Sequence, residues 1–114
     1  MKKFLSLMML CLMILSPVAI ADSASQAVSD ANSTAKAAQE FVAQALKILV
    51  GTPDRTKMEL ALSLYAKAGE LFERSYKAYV ALGPNYATSQ DVDGARAAME
   101  NCMKNIGELR RRLQ

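Results

Sequence analysis

The chain has 114 residues, with 14 Lys and Arg against 11 Asp and Glu, 2 Cys, and neither His nor Trp. That length points to one small domain, and the lack of His removes the commonest general base, the usual zinc ligand and the ordinary haem axial ligand. Di-iron sites built on Glu-x-x-His pairs are excluded for the same reason. No nucleophile motif or Gly-rich phosphate loop stands in for them, so the expectation is a non-enzymatic protein with no catalytic residue, no cofactor and no metal.

The first residues carry an address. Lys2 and Lys3 precede an apolar run from Phe4 to Leu15, followed by Ser16-Pro17-Val18 and then Ala19-Ile20-Ala21. A basic start, a short apolar stretch and a small-x-small site are the three parts of a secretory signal peptide. About twelve apolar residues are too few to cross a bilayer comfortably, and Pro17 is expected to break their helix ahead of the cleavage site. Residues 1–21 are therefore read as a leader, and the mature chain begins at Asp22 in the periplasm or outside the cell.

Removing the leader changes the charge balance. Without Lys2 and Lys3 the mature chain keeps 12 basic residues against 11 acidic ones, a net charge of +1. A composition so balanced gives no reason to expect nucleic acid as a partner. Cys11 leaves with the leader, so Cys102 is the one mature thiol and has no intramolecular partner. No later segment approaches the roughly twenty apolar residues that span a bilayer, so no stable membrane insertion is expected after cleavage.

Three helices follow from the apolar period. In the first, Ala24, Val28, Ala31, Ala35, Ala38, Val42, Ala45 and Leu49 step by four and three along one seam, and Gly51 with Pro53 closes it. Residues 22–37 are a weakly apolar start that can fray, because the seam there is mostly Ala. Residues 38–114 form the bundle domain. The second helix is expected to start at a Thr52 cap before Pro53, or at a Thr56–Glu59 capping box, and to run to about Leu82 before Gly83-Pro84. Gly69 offers an alternative in which this middle segment splits into two helices, giving helical hairpins. The third helix has the cleanest pattern, Val92, Ala95, Met99, Cys102, Ile106, Leu109 and Leu113, with Arg96, Glu100, Lys104, Glu108 and Arg112 as an outer ladder of alternating sign. Short connections fold consecutive helices back on one another, giving an all-α, elongated antiparallel three-helix bundle with coiled-coil-like seams.

Two features bear on function. Tyr65, Phe72, Tyr76 and Tyr79 form an aromatic stripe on the second helix, which at helical spacing serves either as core or as the lining of a ligand or partner groove. Cys102 serves either as a buried core thiol or as an intermolecular disulfide across a homodimer, which needs two third helices to meet near a two-fold axis. Along each helix Lys and Arg alternate with acids, which does not suit a helix lying flat on a membrane surface. The sequence thus favours an exported helical protein that binds an unidentified periplasmic protein through a helix face and pairs with itself. A second reading is a periplasmic inhibitor or immunity protein acting on a toxin or cell-wall hydrolase. A third is a carrier of an apolar or aromatic small ligand.

Overall fold

The computed structural model describes the backbone of residues 2–114 and the side chains from residue 23 onward. The leader assignment of residues 1–21, including Cys11, concerns side chains outside those described. Three helices make up the described chain: α1 (Lys2–Ile48), α2 (Arg55–Leu82) and α3 (Ser89–Leu113). They form an all-α antiparallel three-helix bundle with extents of 69 × 33 × 20 Å. α1 is unbroken through Pro17, where a break was expected, so the proline forfeits one backbone hydrogen bond without ending the helix. α2 is likewise continuous past Gly69, and the alternative of two short hairpins does not form.

The turns differ from the sequence expectation in one respect. Gly51 and Gly83, at φ 82° and 79°, occupy the left-handed region that a residue without Cβ enters cheaply, and they reverse the chain after α1 and α2. α2 is capped by neither Thr52 nor Thr56. Asp54 takes that place, its carboxylate accepting from the Lys57 N–H at 2.8 Å. A carboxylate accepts this bond while also placing negative charge at the positive end of the helix, which a threonine hydroxyl does not do. α3 opens with a complete capping box: the Asp91 N–H donates to Thr88 Oγ1 at 3.1 Å, and the Thr88 N–H donates to Asp91 Oδ2 at 3.0 Å.

α2 is the central element, packing along its length on both α1 and α3, while α1 and α3 touch each other only marginally. The seam with α1 is made of small residues. Ala31, Ala38 and Ala45 recur every seven residues on α1, as Ala61, Ala68 and Ser75 do on α2, and all six are 3 % exposed or less. Ser75 Oγ donates to the Ala31 carbonyl at 3.1 Å. That bond fixes the antiparallel register, which brings Ala38 opposite Ala68 and Ala45 opposite Ala61. Small side chains on both faces let two helices approach closely.

Residues 22–37 contribute to this seam despite their weak apolarity. From Ser23 the segment is helical, Ala31 is buried, and the Tyr79 hydroxyl donates to Asn32 Oδ1. Two core clusters result. One gathers Tyr65, Phe72, Cys102 and Leu109 among the alanines of the seam, with Phe41, Val42, Leu49 and Ile106 around them. The other contains Ala31, Tyr79, Ala87 and Ala95, with Tyr76, Leu82 and Val92 against it.

Candidate functional site

The stripe on α2 divides in two when the helices assemble. Tyr65, Phe72 and Tyr79 recur every seven residues and are buried to 2–5 % exposure, facing the space between α1 and α3. Tyr76, one turn from Tyr79, lies at the edge of the same arc and is turned to α3. Its hydroxyl accepts from Arg96 Nη2 at 3.3 Å, and the guanidinium stands 5.5 Å from the ring centroid. Tyr76 thus belongs to the α2–α3 contact, and three of the four aromatic residues remain as one row.

That row is the floor of a trough. Because α1 and α3 hardly meet, three cavities of about 230, 140 and 180 Å³ lie between them in sequence along the bundle. The first and second share Gln39, Phe72 and Ala98, and the second and third share Tyr65 and Asn105, so the three adjoin in a row. Its walls are small or amide-bearing: Ala35 and Gln39 from α1, and Gly94, Ala98, Asn101 and Asn105 from α3. Leu46 and Leu49 of α1 close one end with Arg112, while Asp91 stands at the other. With the rings already buried to 2–5 %, the walls are what a partner meets: Val42, Leu46 and Leu49 together with the carboxamides of Gln39, Asn101 and Asn105. The amides were not singled out in the sequence. Isolated Asn and Gln carry no periodic signal, and only the pairing of α1 with α3 across α2 brings them to one wall.

Cys102 borders the middle cavity but is only 2 % exposed. A methyl group placed on Gly69 would meet its Cβ at 3.5 Å, which puts the residue between α2 and α3 in ordinary van der Waals contact. Burial raises the thiol pKa, so the group stays protonated and is a poor nucleophile at neutral pH. A disulfide to a second copy would require α3 to draw away from α2. The Tyr65 phenol is also raised, first by burial and then by the neighbouring Cys102.

The surface charges are simpler. The ion pairs among the described residues are Arg55–Glu59 and Lys77–Glu73, both at 3.2 Å, and Arg74–Glu70 at 3.9 Å, each spanning four residues of α2. The α3 ladder does not close into pairs of this kind, and Arg96 turns to Tyr76 instead. Among the described residues, no three of His, Cys, Asp and Glu converge as metal ligands would. No helix in that part of the chain is long and apolar enough to cross a membrane. No protein-family model, curated protein or solved structure matches this chain.

Proposed function

We propose that this protein is an exported, non-enzymatic binding protein that holds an amphipathic helix of another periplasmic protein in the trough between α1 and α3. The observation that carries this reading is the depression between α1 and α3, which hardly meet, lined by Gln39, Asn101 and Asn105 above a row of rings, Tyr65, Phe72 and Tyr79, already buried to 2–5 % exposure. A helix laid into such a groove covers the half-buried Val42, Leu49 and Ala98, and its flanking polar groups meet Gln39, Asn101 and Asn105. Alanine and glycine on the walls keep the approach close.

The test is site-specific photocrosslinking in the periplasm of the source cell. A photoreactive residue in place of Asn101 should trap one protein partner, whereas the same residue in place of Glu73, on the exposed side of α2, should not. Equal trapping from both positions, or none from Asn101, would overturn the proposal. A trapped toxin or cell-wall hydrolase would turn the reading to inhibition. Recovery of a stoichiometric small molecule with the purified protein would turn it to carriage.

A further inference from the structure

The antiparallel fold gathers cations at one end of the bundle. Lys47 lies in the last turn of α1, Arg55 and Lys57 in the first turn of α2, and Arg110, Arg111 and Arg112 in the last turn of α3. All six are exposed. Two contacts hold them at the same place: Arg55 Nη1 donates to the Leu113 carbonyl at 3.1 Å, and Arg112 shares a cavity with Leu46 and Leu49. Asp54, Glu59 and Glu108 are the acids nearby, and of the six cations only Arg55 has a carboxylate within 4 Å among the described residues.

Helix dipoles account for only part of this arrangement. Cations at the C-termini of α1 and α3 are stabilised there, whereas Arg55 and Lys57 directly follow the Asp54 cap of α2, at a helix end that disfavours cations. The excess is therefore not explained by helix stability. At the opposite end Asp91 and Asp93 open α3, and on α2 Glu70 and Glu73 pair with Arg74 and Lys77, so no such excess gathers there.

Aliphatic side chains accompany the cations. Val50, in the turn after α1, is 77 % exposed, and Leu46 and Leu60 are 55 % and 52 % exposed on the adjoining turns of α1 and α2. A ring of six cations, in excess over Asp54, Glu59 and Glu108, around protruding aliphatic side chains suits an anionic bilayer: the cations are drawn to lipid phosphates, and the aliphatic tip enters the headgroup boundary. A soluble acidic partner would satisfy the cations but gives no reason for Val50 to stand in water. We propose that the Lys47, Arg55 and Arg110–Arg112 end of the bundle docks, tip first, on an anionic phospholipid surface. The molecule then stands on the membrane with its trough facing sideways and accessible.

Vesicle co-sedimentation of the exported protein tests this directly. The protein should bind vesicles rich in phosphatidylglycerol, fail to bind pure phosphatidylcholine, and be released by high salt, since screening shortens the reach of exposed charges. Replacing Arg110, Arg111 and Arg112 together with Gln should weaken binding roughly a hundredfold, at about fivefold for each cation near the surface. Val50→Ser should cause a further severalfold loss. Lys77→Gln, at the opposite end, should change nothing, and circular dichroism of each variant checks that the bundle is intact. Equal binding to phosphatidylcholine, or full binding by the triple variant, would overturn the proposal. So would indifference to Val50→Ser with equally tight binding to soluble polyglutamate, which would identify an acidic macromolecule as the partner.

Discussion

Toward the turn between α1 and α2, the core is built from large side chains: Tyr65, Phe72 and Leu109 are buried, with Phe41, Val42, Leu49 and Ile106 packed around them. Toward the turn between α2 and α3, Tyr79 is the one large buried side chain among Ala31, Ala87 and Ala95, and three polar contacts cross between helices. Those contacts are Ser75 to Ala31, Tyr79 to Asn32 and Arg96 to Tyr76. The first region derives its stability from apolar area, at roughly 25 cal/mol per Å² removed from water. The second has little such area, and its hydrogen bonds each contribute only about 0.5–1.5 kcal/mol net, so they set register more than they add stability. A bundle can therefore be firm at one end and specified by polar contacts at the other.

The largest expected effect is that of Phe72→Ala. Removing a ring that is 5 % exposed should cost about 3–5 kcal/mol in urea denaturation. A loss below about 1 kcal/mol would mean that the large-residue half is not where stability resides. Next comes Ala68→Leu, which forces an isobutyl group into the seam where Ala68 is fully buried against α1. Overpacking of this kind should cost about 1–3 kcal/mol, and an unchanged midpoint would show that the small-residue seam is not tight.

Tyr79→Phe sharpens the comparison from the polar side. Losing the hydrogen bond to Asn32 should cost about 0.5–1.5 kcal/mol, and a double-mutant cycle with Asn32→Ala should show coupling of that size. Strictly additive losses would remove this bond from the account of the second region. The smallest effect is alkaline. Folding raises the pKa of Cys102 and of Tyr65 above their ordinary values of 9.0 and 10.0, so the folded chain holds more protons than the unfolded one as pH rises through that range. Stability should then be level below about pH 8 and fall above about pH 9. Cys102→Ala should delay the onset of that fall, and a fall identical to that of the parent chain would exclude the thiol as its source.

Much of the architecture was legible because helical period is local. The steps of three and four in Ala38, Val42, Ala45 and Leu49, and in Ala95, Met99, Cys102, Ile106 and Leu109, identified the buried faces before any contact was known. The aromatic stripe was only partly legible. Four rings within a modest arc looked like one surface, but two neighbouring helices divide that arc, sending Tyr65, Phe72 and Tyr79 toward the trough and Tyr76 to Arg96. The cap of α2 was misplaced because Thr52-Pro53 fits the preference for proline at the first helical position, whereas the Asp54 carboxylate is the group that reaches the Lys57 N–H. The Ala-rich residues before Ala38 offer little apolar area, which is all that composition measures. Their hydrogen bonds come from Ser75 and Tyr79, more than forty residues further along the chain.

The sequence by itself determined that the chain is all-helical and that short glycine-bearing turns reverse it twice, because helical period and turn chemistry are properties of a few consecutive residues. Only the tertiary structure decided which surfaces exist. Along each helix the charges nearly cancel, and Arg110–Arg112 is one short basic run at the end of α3. Antiparallel folding brings the end of α1, the start of α2 and the end of α3 to one place, and six cations separated in sequence become a single field. The trough has the same origin: it is the space left where α1 and α3, both packed on α2, do not pack on each other, and that is a relation between helices that no single helix encodes.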